Sequence, residues 1–129
     1  MGVTMACILI VDDEDTVRQL LRRALLLNRH EVIEACDGKE ALTQYIFEKD
    51  RIDIVITDMM MPESDGFRLV EEIARKNPEA KVVIMSGWFN EEELTNTQLE
   101  ASRCIKGILQ KPCTMEEIHT VVQRVLNAD

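Results

Sequence analysis

Basic residues, aromatics and long apolar runs are all in short supply in this chain. Lysine and arginine number 15 against 24 acidic residues, a formal net charge of −9. The basic footprint that a nucleic-acid backbone demands is therefore missing, and direct nucleic-acid binding is not expected. Aromatics make up only 4%, which leaves Ile, Val, Leu, Met and Ala to build the core. No apolar stretch nears the roughly 18 residues of a membrane span. The start, Met1-Gly2-Val3-Thr4, has no basic n-region, and the first apolar run, Ala6 to Val11, is too short for a signal peptide. A cytoplasmic location without membrane contact is the expectation. Cysteine is present but lacks any useful spacing. Cys7, Cys36, Cys104 and Cys113 form no C-x-x-C pair, and only His30 and His119 are at hand as nitrogen ligands. Zinc, redox and disulfide frameworks are disfavoured on that ground. Cys7 and Cys36, in or beside apolar runs, read as small buried hydrophobes; Cys104 and Cys113 lie where surface is expected. The two histidines read as solvated or capping residues, His30 near a helix end where a cation is favourable.

What remains is a length of 129 residues, enough for one domain with a proper core, and no linker or repeat divides it. Residues 1–129 are taken as a single domain. Ala6–Val11 is too short for a helix and is stopped by Asp12-Asp13, so it reads as a buried strand. Val17, Leu20, Leu21, Ala24 and Leu25 then trace the stripe of an amphipathic helix from Glu14 to about Asn28. Glu31–Ala35 is a second, more polar strand, and Asp37-Gly38 leads into a helix with Ala41, Leu42, Tyr45 and Ile46 on one side. Ile52–Thr57 is the third strand, followed by a loop from Met59 to Gly66 and a helix marked by Phe67, Val70, Ile73 and Ala74, which Asn77-Pro78 stops. Lys81–Ser86 is a fourth strand. A polar helix is expected from Asn90, with Glu93 as its capping-box partner. Gly107–Gln110 is a short last strand, and Thr114 with Glu117 opens a helix carrying Ile118, Val121, Val122, Val125 and Leu126.

Five successive βα units imply an α/β fold with a parallel sheet, right-handed crossovers and helices on both faces. The first, third and fourth strands are the most continuously apolar, as central strands should be, and the second and fifth are shorter and more polar, as edges should be. A doubly wound, flavodoxin-like order 2-1-3-4-5 follows, with its ligand crevice at the carboxyl ends of the strands. Asp12, Asp13, Asp58, Ser86 and Lys111 all fall at such ends. A lone strand-end Asp is more often a cap or a solvated turn, but five suitable residues on four strand ends argue for a site. Crowded carboxylates need a neutralising partner. A hard cation such as Mg²⁺, or Mn²⁺ in its place, suits their oxygens, whereas Met59, Met60 and Met61 read as packing because thioethers prefer soft metals. With a serine hydroxyl and a lysine added, these are the parts for phosphoryl transfer onto a carboxylate. Asp58 is expected as an exposed strand-end carboxylate.

The motifs Ile10-Val11-Asp12-Asp13-Glu14, Thr57-Asp58-Met59-Met60-Met61-Pro62-Glu63-Ser64-Asp65-Gly66, Met85-Ser86-Gly87 and Lys111-Pro112 together resemble the response-regulator receiver domain of two-component signalling, over essentially the whole chain. The resemblance implies that Asp58 is the phosphoacceptor and that Asp12, Asp13, Asp58 and the backbone carbonyl of Met60 hold the metal. It implies that Ser86 is the switch hydroxyl, Lys111 the phosphoryl-pairing cation, and Lys111–Pro112 a cis peptide. It makes the domain a phospho-accepting signalling module rather than an enzyme acting on other molecules. The donor would be a sensor histidine kinase or a phosphotransfer protein. The output would be an attached domain or target protein reached through the fourth helix, fifth strand and fifth helix, from a monomer or a phosphorylation-promoted homodimer.

Two positions depart from the family pattern. Ile108 stands where the family has its switch aromatic, and Cys104 where it usually has a glycine. An isoleucine cannot reproduce a ring that swings between inward and outward rotamers, so a simpler packing change is expected. Met60 and Trp88, two places beyond Asp58 and Ser86, flank the path of hydrolytic water in the family. Neither can orient that water, so a long-lived phosphoryl mark is expected. A polar fourth helix with only Leu94 and Leu99 strongly apolar is expected to be the most mobile element. Two other readings compete. Asp13-Glu14-Asp15-Thr16-Val17 matches the opening of haloacid dehalogenase-like phosphohydrolases, with Asp13 as nucleophile, but leaves Asp58 and its loop unexplained. A receiver-like interaction module that never takes phosphate is disfavoured because no essential chemical group is missing.

Overall fold

Short apolar runs pair side by side because each is buried on both faces. The computed structural model describes residues 5–59, 66–86 and 100–128. Its strands are β1 (Cys7–Val11), β2 (Glu31–Ala35), β3 (Ile54–Asp58), β4 (Val82–Met85) and β5 (Ile105–Leu109). They form one sheet in the order β2-β1-β3-β4-β5, parallel throughout. Register runs Ile8 opposite Val32 on one side and Ile54 on the other. β1, β3 and β4 are buried at every residue, whereas β2 is mostly half-buried and β5 alternates buried with exposed positions, the edge character their polarity implied.

The described helices, numbered in order, are α1 (Asp15–Leu27), α2 (Gly38–Glu48), α3 (Gly66–Lys76) and α4 (Met115–Asn127), with a 3₁₀ turn at Ser102–Cys104. Side chains set where two of them start. Asp37 Oδ1 accepts from the Glu40 amide at 2.8 Å to begin α2. Thr114 and Glu117 close a reciprocal capping box at 3.1 and 2.9 Å to begin α4. α1 ends where Arg29 adopts φ 66°, the left-handed conformation that lets the following amide return to Leu25 O. None of the described helices is long and apolar enough to cross a membrane. The polar helix expected from Asn90, its Glu93 cap and Leu94 and Leu99 lie outside the described residues, Glu100 and Ala101 apart.

The sheet separates two cores. Leu9, Val11, Val55, Val82 and Ile84 face Tyr45, Phe67, Val70 and Ile73 of α2 and α3. Ile8, Ile10, Ile54, Ile56, Val83 and Met85 face Leu21, Leu25, Ile118 and Val122 of α1 and α4. At about 25 cal/mol per Å² of apolar surface, each fully buried Ile or Leu stabilises the fold by roughly 1.5–3 kcal/mol relative to an exposed one. α4 approaches β5 at Gly107, where a Cβ would lie 3.0 Å from Val121 and 3.3 Å from Val125, so a larger residue there requires these side chains to shift.

Several expectations are corrected. β3 starts at Ile54 rather than Ile52 and includes Asp58, while β5 starts at Ile105 and takes Gly107 into its middle. Ile46 is exposed, because it lies one position past Tyr45 on the outer side of α2. Cys36 is exposed too: β2 ends at Ala35, and the turn into α2 presents the thiol to Glu40 Oε2 at 3.5 Å. Cys104 is buried, its Sγ donating to Pro78 O at 3.4 Å, and Cys113 is half-buried. His30 is buried rather than solvated, and its Nδ1 accepts the Ala6 amide at 3.0 Å.

Candidate functional site

Parallel strands deliver their carboxyl ends to one edge of the sheet, and the direction of winding reverses between β1 and β3. That reversal opens a crevice. Asp12 follows β1 immediately and is fully buried; Asp13, next to it, is exposed. Asp58 ends β3 and is 4% exposed, so it is not the exposed carboxylate expected of a strand end. Ser86 follows β4, buried, with its amide on Leu109 O at 3.0 Å. Lys111 stands two residues past β5, and the Lys111–Pro112 peptide is cis, as the receiver resemblance implied.

Lys111 binds the cluster together. Its Nζ lies 2.8 Å from Asp12 Oδ2, 2.9 Å from Asp58 Oδ2 and 3.9 Å from Glu14 Oε1. Burial works to lower the lysine's pKa, but its hydrogen bonds to Asp12 and Asp58 and their negative charge outweigh it, so the ammonium is held above its ordinary range. Carboxylate oxygens of Asp12, Asp13 and Asp58 come within 4.8 Å of one another. The carboxylates outnumber the one ammonium, so the crevice carries net negative charge. All the ligand atoms are hard oxygens. A divalent Mg²⁺ or Mn²⁺ fits both the charge and the donor set.

The expected residues Asp12, Asp13, Asp58, Ser86 and Lys111 are thus all at this edge. Ile108 lies on β5 and is 46% exposed, beside a groove of about 370 Å³ that it shares with Gln110, Glu117, Thr120 and Val121. Met60 and Trp88 lie outside the described residues. Asp13, the nucleophile of the phosphohydrolase alternative, has no lysine or arginine within 4 Å among the described residues, whereas Asp58 has Lys111. One participant was not anticipated. Arg18, on α1, donates from Nη1 to the Asp12 carbonyl oxygen at 2.6 Å. Its i,i+3 spacing from Asp15 is visible in the sequence; its reach back to Asp12 is not.

Comparison with known proteins matches the fold. The family model described as the response regulator receiver domain matches residues 8–123. The chain is 35% identical over 121 residues to the sensor kinase CckA of Brucella abortus, covering 94% of this chain and 12% of that protein. It is 36% identical over 120 residues to the regulatory protein AtoC of Escherichia coli, covering 92% of this chain and 25% of that protein. The chain therefore spans a quarter or less of the length of these two relatives. Among solved structures, the chemotaxis response regulator CheY4 of Vibrio cholerae superposes with a TM-score of 0.79 at 31% identity, over 95% of this chain and 99% of that one. The receiver domain of the hybrid histidine kinase CckA superposes with a TM-score of 0.77 at 31% identity, over 95% and 100%.

Proposed function

The chain belongs to the response regulator receiver domain family of two-component signalling, and from that premise we propose that Asp58 accepts a phosphoryl group from the phosphohistidine of a sensor histidine kinase or phosphotransfer protein. The observation that carries this reading is the Lys111 ammonium seated between Asp12 and Asp58 at 2.8 and 2.9 Å, inside a crevice whose charge and oxygen donors suit a divalent cation.

An oxygen of Asp58 forms the new P–O bond as the P–N bond to the donor imidazole breaks, and the imidazole leaves with the electron pair. Asp12, Asp13 and Asp58 would hold Mg²⁺ or Mn²⁺, with the Met60 carbonyl as the ligand the resemblance adds, and the cation would neutralise charge on the phosphoryl oxygens. Lys111 exchanges its contact with Asp58 Oδ2 for a phosphoryl oxygen, and Ser86 donates its hydroxyl to another. Recruitment of Ser86 biases the segment that follows β4, a population shift of the kind that switches use. The groove beside Ile108, between β5 and α4, supports an output surface on this side. Met60 and Trp88, a thioether and an indole, offer a hydrolytic water no acceptor worth the name, which supports a long-lived mark. The domain works in the cytoplasm as a phospho-accepting module, not as an enzyme on other substrates.

Incubation with acetyl phosphate and Mg²⁺, followed by mass spectrometry, tests the assignment. Wild type should gain one phosphoryl group at Asp58, and Asp58→Asn should gain none while remaining folded. Stoichiometric labelling of Asp58→Asn, or labelling at Asp13, would overturn it. A Met60→Asn, Trp88→Glu double variant should lose its phosphoryl group clearly faster than wild type; equal decay would remove these side chains from control of the lifetime.

A further inference from the structure

Asp12 makes four contacts that fix its place. Its amide donates to Ala35 O on β2 at 3.2 Å. Its Oδ1 accepts the Glu14 amide at 2.8 Å, and its Oδ2 meets Lys111 at 2.8 Å. Its carbonyl oxygen accepts from Arg18 at 2.6 Å. Asp13 differs: its side chain is exposed and has no hydrogen-bond or ion-pair partner among the described residues. The direction in which its carboxylate points is therefore set by the backbone between Asp12 and Glu14.

That backbone is secured from α1. Glu14, at the N-cap of α1, makes no side-chain cap, so the first turn lacks the usual anchor. Arg18 takes over. One guanidinium, its side chain 16% exposed, donates to the Asp12 carbonyl, pairs with Asp15 in the first turn and lies 3.6 Å from Glu34 Oε1 on β2. A rigid five-donor fork can serve acceptors on three segments at once, which a lysine cannot. Arg22 pairs with the same Glu34 at 2.9 Å.

We propose that Arg18 is a positioning residue for the cation site: by tying the Asp12 carbonyl to the first turn of α1 and to β2, it aims the Asp12–Asp13 pair at Asp58 and so sets the crevice's affinity for Mg²⁺. This rests on Asp12, Asp13 and Asp58 being the metal ligands. Groups that orient ligands from behind typically change metal affinity by about 10- to 100-fold when removed. Arg18 acts through the backbone rather than on a ligand atom, which points to the lower end of that range.

Calorimetric titration of the full chain with Mg²⁺ reads this directly, with circular dichroism to establish folding. Arg18→Met should bind Mg²⁺ about tenfold more weakly than wild type. Arg22→Met, which loses its pairing with Glu34 but touches nothing on Asp12, should bind as wild type does. Amide hydrogen exchange should quicken at Glu14 and Asp15 in Arg18→Met and stay unchanged at Leu21 and Leu25. Affinity within twofold of wild type in Arg18→Met, or equal weakening in Arg22→Met, would overturn the proposal. If Arg18→Met does not fold, Arg18→Lys is judged against Arg22→Lys by the same two criteria. Asp13→Ala tells the two readings apart: wild-type affinity in that variant would remove the metal site itself, and the role of Arg18 with it.

Discussion

Replacing Lys111 by methionine keeps the length and apolar stem of the side chain and deletes only the charge. The consequence follows from the burial of its partners. Asp12 and Asp58 are 0% and 4% exposed and both lie within 2.9 Å of the ammonium. Removing one partner of a buried ion pair typically costs about 3–5 kcal/mol, because the other is stranded. Proton uptake caps that cost. An aspartate in the unfolded chain titrates near ~3.9, so keeping one protonated costs about 4 kcal/mol at pH 7 and about 1.5 kcal/mol at pH 5. Metal-free Lys111→Met should therefore be less stable than wild type by about 3–4 kcal/mol at pH 7, and by no more than about 1.5 kcal/mol at pH 5. Urea unfolding in EDTA at the two pH values measures this. Saturating Mg²⁺ should narrow the gap at pH 7, since a ligand of the native state stabilises it by mass action. A penalty below about 1 kcal/mol at pH 7 would refute the reasoning, as would one that fails to shrink at pH 5.

Gly107→Ala should destabilise by about 1–3 kcal/mol, since the new methyl meets Val121 Cγ1 at 3.0 Å and Val125 Cγ2 at 3.3 Å; an unchanged urea midpoint would mean that α4 yields without cost. Arg29→Gly should stabilise by about 1 kcal/mol, because a φ of 66° is strained for a residue with a Cβ, and an unchanged or lower melting temperature would contradict this. Burial, with His119 nearby, holds the His30 imidazole below its ordinary range. The unfolded chain then binds the extra proton, so stability is lost as pH falls below about 6.5. His30→Asn, which keeps an acceptor for the Ala6 amide, should flatten the stability profile between pH 7.5 and 5.5; curves parallel to wild type would exclude His30 as the cause.

Strand order and the five crevice residues were legible because both depend on local signals. Uninterrupted apolar runs mark central strands, and a residue at the end of a parallel strand is carried to the shared edge wherever the rest of the chain goes. What escaped depends on contacts between distant segments. His30 is buried and accepts an amide from 24 residues away. Arg18 acquires its role only once α1 is laid against β1 and β2. Ile46 and Cys36 looked like core because each adjoins a core residue, Tyr45 and Ala35, and a shift of one position turns a side chain outward. The exposure of Asp58 was misjudged for a related reason: β3 runs one residue further than its apolar stretch and carries the carboxylate beneath Lys111.

The sheet with a core on each side has a further meaning. Neighbouring residues of β1 and β3 look into different chambers: Leu9 and Val55 toward α2 and α3, Ile8 and Ile54 toward α1 and α4. Among the described residues, the side chains of the two chambers belong to separate clusters with the sheet backbone between them, so repacking one should leave the other's volume untouched. Substitutions such as Phe67→Leu on one side and Ile118→Val on the other should then combine additively. The partition ends at the carboxyl edge. There Asp12, held by Arg18 of α1, and Asp58, followed by the segment leading to α3, meet across Lys111. Helices of either chamber can change their outer surfaces independently, and a charge added at that edge is the event both would register.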